Sequence, residues 1–510
     1  MQRGIEGRAD TGFRDGQMVE KVEIEAACGR LVGQRRDGVV RFLGIPYGEA
    51  PVGERRYAAP FPRAPFAEPF EAFEYGAAAP QRSLLPAPLA RLIGSHRHYS
   101  EDCLSLNVWT PEVTGNRPVL VFIHGGGFIL GAGEQYPGDD LARRGDVVVV
   151  TMNYRLGLIG FNPFAELFPG DERFVANAGL LDQRLALRWV RDNVAAFGGD
   201  PDRVTIAGES AGSVSVAWHL VTEGSKPYYH RAIMQSGALN LFYGRERARE
   251  VASLLAGGMG LGDDRERLFT LTPRALHEAA AEAVTDHTGV ISRPYVDGTE
   301  LVAEAPGDLA VTAKPVPLLI GTNRDEFSFF IGLPLLPIEA DKAALSGMVE
   351  HFSGRAAAER IAHLYEDDRK GRIAFGTDLI FRMPSIAFAD AEAARGSPVY
   401  FYRLDWEAKG LLSRLGATHS VDLPLIFEDF LKPFRSAYLG VLPDGRRQLL
   451  AERMRRHWLS FVRDGRPDEG WPAYRTDQRL TMIFNETDAV VPDPEALQRM
   501  NWQGVDGFAI

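Results

Sequence analysis

Short, almost wholly apolar runs recur along the chain between stretches with helical character. Pro118 to Ile123, Val147 to Val150, Val204 to Ala207, Ala232 to Met234, Val316 to Ile320 and Val399 to Tyr402 each read as a strand buried on both faces. Such runs alternating with helices predict a mostly parallel sheet flanked by helices, an α/β fold. Ahead of them, Lys21 to Ala26 and Val39 to Leu43 alternate apolar and polar positions and end in turns, which predicts an antiparallel lead-in. The stretches 246–282, 341–372 and 448–464 read as helical, whereas Pro60 to His98 carries little periodic signal. The expected organisation is a flexible leader over 1–20 and one α/β domain over 21–510. Helical insertions at 240–290 and 330–390 are expected to cap its site.

One junction between these elements carries chemistry. The strand Arg203 to Ala207 runs into Gly208-Glu209-Ser210-Ala211-Gly212, and a helix is expected from Ser213 to Val221. A G-x-S-x-G pentapeptide between strand and helix is the nucleophile-elbow motif. Its flanking glycines are needed because the turn leaves no room for side chains, and the helix N-terminus offers free amides to a developing negative charge. A serine hydroxyl becomes a nucleophile only when an imidazole takes its proton and a carboxylate holds that imidazole. In this kind of sheet the acid and then the histidine follow the serine, on loops at the carboxyl ends of strands. The stretch Gly321-Thr322-Asn323-Arg324-Asp325-Glu326 offers two adjacent acids after a strand, and the residues by themselves leave both open. Of the histidines beyond the serine, His351, His363 and His457 fit helix faces. His419 lies in the small-residue loop Gly416-Ala417-Thr418-His419-Ser420 and is the candidate base. His124-Gly125-Gly126-Gly127-Phe128, directly after the strand ending at Ile123, supplies backbone donors without side chains in the way. Gly126, Gly127 and Ala211 are the expected oxyanion donors, and His124 is expected to be structural.

With these motifs stand Phe42-Leu43-Gly44-Ile45-Pro46-Tyr47, Ser100-Glu101-Asp102-Cys103-Leu104, Asn153-Tyr154-Arg155 and Phe197-Gly198-Gly199-Asp200-Pro201. Over about Glu23 to Phe484 the chain resembles the type B carboxylesterase family of α/β-hydrolases. The resemblance implies that Glu326 rather than Asp325 is the triad acid, with Ser210 as nucleophile and His419 as base. It further implies ion pairs Arg56–Glu101 and Arg155–Asp182, a carboxylate at Glu209 that tunes the pocket, and a buried serine at Ser236 near the histidine. Asp422 stands where the family has a glutamate three residues beyond the histidine, and Ser105 where it has an aromatic residue or threonine. The family often pairs the cysteine of its Glu-Asp-Cys-Leu motif. This chain has Ala77-Ala78-Ala79-Pro80-Gln81 in place of the partner, so Cys103 is expected to be free.

The function implied is carboxylic-ester hydrolysis through an acyl-enzyme, on aryl or short-to-medium acyl esters, with no metal or organic cofactor. Phe128, Leu239 to Phe242, and Phe329 to Leu336 with Phe330 and Leu335 are candidate pocket walls by position. Carbamate or aryl-amide hydrolysis by the same triad is the alternative, and a non-catalytic binding module is the reading from another class. Composition narrows the partners. With 57 basic and 68 acidic residues interspersed, a net charge of −11 argues against nucleic acid or an anionic membrane surface. The polar start lacks a signal-like apolar stretch, and two cysteines in 510 residues fit reduced thiols. The expectation is a cytoplasmic monomer or small homo-oligomer acting on a small-molecule ester.

Overall fold

The antiparallel lead-in is longer than its pattern predicts. In the computed structural model, β1 (Thr11–Arg14), β2 (Gln17–Ala26), β3 (Gly29–Arg36) and β4 (Val39–Pro46) pair antiparallel in chain order. Within the stretch expected as a leader, residues 11–14 and 17–20 pair as an edge hairpin of the sheet. The structure describes residues 11–14, 17–81, 98–239, 241–262, 264–283, 292–301, 314–332, 341–430 and 432–505.

Ten further strands complete one fourteen-stranded sheet. They are β5 (Phe66–Glu71), β6 (Ser105–Thr110), β7 (Arg117–Ile123), β8 (Val148–Met152), β9 (Gly199–Glu209), β10 (Arg231–Gln235), β11 (Leu318–Asn323), β12 (Val399–Leu404), β13 (Leu480–Phe484) and β14 (Ala489–Pro492). From β8 the order runs β7-β9-β10-β11-β12-β13, and every neighbouring pair in that block is parallel. The chain leaves β7 for β8 on one side and then crosses back past β7 to reach β9 on the other, so the direction of strand addition reverses at β7. Such a switch point opens a crevice at the strands' carboxyl ends.

Side chains along the parallel strands alternate between two apolar layers, as a period of two requires. Val119, Val121, Ile123, Val148, Val150, Val204, Ile206, Met234 and Ile320 join one core. Leu120, Phe122, Val149, Ala207, Ile233 and Leu319 join the other. The helices Ala178–Asn193 and Ala211–Val221 cover the first face through Leu180, Leu187, Val190, Val214 and Trp218. The helix Gly445–Asp464 covers the second through Leu450, Met454, Trp458 and Phe461. Burial of each such side chain is worth about 1.5–3 kcal/mol. The sheet is therefore a stiff platform for the loops at its end. Two satellite clusters draw on the stretches 240–290 and 330–390. One packs Val251, Leu255 and Leu276 on Tyr57 and Phe164, and the other packs Leu345, Val349, Ile361 and Phe375 with Phe327 and Trp502.

Two sequence expectations shift in register. Strand β11 starts at Leu318, after Pro317, which cannot donate to a ladder, and extends through Gly321 and Thr322 to Asn323. Gly321 is admitted because a Cβ there would lie 2.3 Å from the Tyr402 ring. The helix Ala178–Asn193 has no sequence counterpart above. Asn177 before it is left-handed (φ 55), and its side chain bonds the backbone of Tyr295 rather than capping the helix.

Candidate active site

Ladder register brings the glycine loop and the serine together. Ile123 at the end of β7 lies opposite Gly208 near the end of β9, so the loops that follow leave the sheet side by side. Ser210 sits at the start of the helix Ala211–Val221 with φ 57 and ψ −126. Holding a non-glycine residue there costs about 1–3 kcal/mol, and the flanking packing enforces it. A Cβ at Gly208 would lie 2.3 Å from the Gly212 carbonyl oxygen, and one at Gly212 would lie 2.1 Å from that of Ile123. Both flanking glycines are thus required by backbone contact, as the pentapeptide predicts. Ser210 is half-buried, its N–H donates to the Gln235 carbonyl at 2.9 Å, and its carbonyl accepts from Val214 N–H.

Gly125 closes on the serine, since a Cβ placed there would stand 3.0 Å from Ser210 Cβ. Gly126 (φ 108), Gly127 (φ 62) and Phe128 (φ 62) then wind through left-handed backbone. Among the described residues, the amides of Gly126, Gly127 and Ala211 have no hydrogen-bond partner within the chain. The Gly126 carbonyl instead accepts from Ile129 and Leu130, which pins the loop. His124 stacks on Tyr154 at 4.4 Å, with Nδ1 2.8 Å from the Gly125 carbonyl, in keeping with a structural role.

Across the crevice, His419 Nδ1 lies 2.6 Å from Glu326 Oε2. Glu326 is fully buried, and its other oxygen accepts the Asn323 N–H at 2.7 Å. The neighbouring acid does something else. Asp325 accepts the Ala417 N–H at 3.0 Å and donates its own N–H to the Ala417 carbonyl at 2.9 Å, fastening the histidine loop to the end of β11. Ser328 adds a second tie, its hydroxyl donating to Leu415 O and accepting from the Thr418 hydroxyl. Glu326 thus faces the imidazole and Asp325 faces solvent and the loop.

Two further carboxylates surround the imidazole. Glu209, one residue before the serine, brings Oε1 to 3.4 Å from His419 Nε2. Asp422 accepts from Gln235 Nε2 at 2.6 Å and from the Tyr402 hydroxyl at 3.3 Å, while Trp458 Nε1 donates to Gln235 Oε1 at 3.2 Å. Burial disfavours the imidazolium, but the Glu209 and Glu326 carboxylates outweigh it and push the His419 pKa up to about 9. Burial raises the Glu209 carboxyl to about 7, with His419 and Ser420 opposing the rise and Asp422 adding to it. Asp422 is raised by burial and by Glu326. An imidazole bracketed by carboxylates on both ring nitrogens can accept a proton and hold the resulting charge, which is what activating a hydroxyl requires.

Of the other sequence candidates, Phe330 stands against the histidine, with ring centroids 5.3 Å apart. Phe128, Leu239 and Phe242 lie fully inside the main core, and Leu335 lies outside the described residues. Ser236 is buried at the end of β10 with φ 56, its N–H donating to Gly321 O. Its hydroxyl has no partner among the described residues. Residues not anticipated are Gln235, Asn323, Tyr402 and Ser420 in the polar network, and Phe381, whose ring is 4.9 Å from that of His419. Phe381 is carried on the π-helical turn Asp378–Arg382, an irregularity that apolar periodicity does not reveal. The ion pairs Arg56–Glu101 and Arg155–Asp182 form as expected, each bidentate. Cys28 and Cys103 are both free.

Comparison with known proteins agrees with this geometry. Residues 20–501 match the model of the carboxylesterase family. The chain belongs to that family. It is 35% identical over 489 residues to the para-nitrobenzyl esterase of Bacillus subtilis, covering 93% of this chain and 97% of that one. It is 32% identical over 490 residues to the phenmedipham hydrolase of Pseudarthrobacter oxydans, with the same coverage. Among solved structures, a para-nitrobenzyl esterase superposes with a TM-score of 0.84 at 34% identity, covering 94% of this chain and 99% of the other. A Geobacillus stearothermophilus carboxylesterase does so with 0.82 at 34% identity, covering 94% and 100%. The fold is that of the α/β-hydrolases, and the enzyme is a carboxylic-ester hydrolase. No helix among its described residues is long and apolar enough to cross a membrane.

Proposed function

We propose that the esterase works through Ser210, His419 and Glu326, on small aryl or short-to-medium acyl esters, in the cytoplasm. The observation that supports this most is the 2.6 Å contact between His419 Nδ1 and Glu326 Oε2, made by residues 93 apart in the chain at the mouth of the crevice that holds Ser210. Glu326 holds Nδ1 of the ring, which leaves Nε2, 3.4 Å from Glu209 Oε1, as the nitrogen for the serine proton. Nε2 takes the proton as Ser210 Oγ attacks the ester carbonyl, and the developing oxyanion is held by the amides of Gly126, Gly127 and Ala211. His419 then returns the proton to the departing alcohol. Water repeats the sequence on the acyl-enzyme and regenerates the serine. Each of these steps is proton transfer and acyl transfer, within the reach of side chains and amides.

Phe330 and Phe381, both ringed against His419, are proposed as the apolar wall beside the base. The helices of 245–283 and 342–377, each with its own apolar cluster, are proposed as the cap.

The test is turnover of a para-nitrophenyl acyl series, with para-nitroanilides alongside, by the wild-type and Ser210→Ala proteins. Ser210→Ala is expected to lose about a million-fold in kcat and Glu326→Gln about 10^4-fold. Ester hydrolysis that survives Ser210→Ala would overturn the assignment. Anilides cleaved as fast as esters would move the substrate class.

A further inference from the structure

Ser420, directly after the histidine, has no part in the triad. Its backbone is left-handed at φ 62, an uncommon state for a residue with a Cβ. That backbone turns its hydroxyl toward Glu209, to whose Oε1 it donates at 2.5 Å. The same oxygen lies 3.4 Å from His419 Nε2, the ring nitrogen that must take the serine proton. One carboxylate oxygen is therefore shared between a fixed hydroxyl and the base itself. Among the described residues, Ser420 is the one side chain that donates a hydrogen bond to Glu209.

The surroundings make that donor matter. Glu209 is enclosed, and the titratable groups that face it are His419 and Asp422 from the loop after β12, Glu326 from the loop after β11, Tyr402 on β12, and Tyr438 on the helix Lys432–Leu439. Of these, His419 alone brings positive charge. Protons on so close a pair belong to the pair rather than to either residue. With one proton on the Glu209–His419 pair, the carboxylate is neutralised either directly or by the imidazolium. With none, its charge is answered chiefly by the Ser420 hydroxyl. A hydrogen bond to a carboxylate is strongest where nothing else neutralises it, so Ser420 stabilises the proton-free pair more than the protonated one.

We propose that Ser420 is a positioning residue that loosens the hold of the Glu209–His419 pair on its proton, making the neutral base available at lower pH. This rests on His419 being the base. The sign follows from the linkage. Removing the donor raises the pH at which the pair gives up its proton, and the acidic limb of kcat/KM moves to higher pH. The shift in the pair's pKa values already noted, upward for both Glu209 and His419, is the background against which the hydroxyl acts.

Ser420→Gly removes the hydroxyl while suiting the left-handed backbone, and Ser420→Ala is carried in parallel in case the glycine loosens the loop. The profile of kcat/KM against pH is measured for both, each also in the Glu209→Gln background, with thermal unfolding as the check on folding. The expected result is an acidic limb moved up by roughly half a pH unit, about threefold in rate along that limb. The high-pH plateau is expected to change little, and no movement is expected once Glu209 is glutamine. An unmoved limb in a folded, active Ser420→Gly protein would overturn the proposal, and so would an equal shift in the Glu209→Gln background. Full activity in Ser210→Ala would instead overturn the triad, which separates the two failures.

Discussion

Gly126 and Gly127 are neighbours in one loop, yet the structure gives them different tolerances. A methyl at Gly126 would stand 2.1 Å from the Leu130 carbonyl oxygen, on backbone with φ 108, so the loop must move to accept it. At Gly127 the nearest atom is Ile129 Cγ1 at 3.8 Å, leaving only the cost of a left-handed alanine. Moving an oxyanion donor costs about 10²–10³ in kcat. Gly126→Ala is therefore expected to lose that much in kcat with a smaller change in KM, and Gly127→Ala markedly less, as read from steady-state kinetics on one para-nitrophenyl ester. Equal losses at both positions would mean that the loop is not held as described. At this scale the serine and the glycine loop were legible, because local order and backbone sterics define them. The choice between Asp325 and Glu326 was not legible from the residues alone. Adjacent acids on one turn differ only in where their side chains point, and only the fold turns one to the imidazole and the other to the Ala417 amide.

Between elements, the buried pair Arg155–Asp182 ties the segment after β8 to the helix Ala178–Asn193. The Arg155 guanidinium is 1% exposed and the Asp182 carboxylate 0%, and the guanidinium also donates to the carbonyls of Arg56, Ala58 and Ala178. Asp182→Ala leaves that cation buried without its counter-charge, at a cost of about 3–5 kcal/mol. A matching loss of unfolding free energy in denaturant titration is the expected outcome, and a change under 1 kcal/mol would show the arginine rehydrated. The parallel strands were legible as elements since burial on both faces leaves only apolar residues in them. The helix Ala178–Asn193 was not, because its start is set by Asn177 reaching to Tyr295, a contact 118 residues away. The polar network around Asp422 was missed for the same reason. Gln235 and Tyr402 sit in strands where a polar side chain has no meaning until the partner arrives.

For the molecule as a whole, His219 makes stability depend on acid. It is fully buried between Ser225 and Gln183, and burial followed by the charge of Arg184 lowers its pKa from 6.5 to about 3. The unfolded chain takes up this proton near pH 6.5 and the folded chain only near pH 3. Stability is thus undiminished above pH 6.5 and falls by about 1.4 kcal/mol for each pH unit below it. His230 and His457, also lowered by burial, act in the same direction. His219→Gln is expected to flatten the loss of unfolding free energy between pH 6.5 and pH 4, and an unchanged slope there would place the acid sensitivity elsewhere.

The order of strands also has a consequence in time. The glycine loop and Ser210, the proposed oxyanion cradle and nucleophile within residues 124–212, hang on β7 and β9, which pair directly. His419, the proposed base, follows β12, which pairs with β11, and the contact of Ser420 with Glu209 closes a span of 211 residues. A chain still emerging from the ribosome can hold the elbow and the glycine loop while lacking His419, the proposed base. On the proposed assignment of Ser210 and His419, the nascent chain is expected to be inactive until its second half docks. In a refolding experiment, esterase activity is the last signal to return, a direct clock for closure of the sheet.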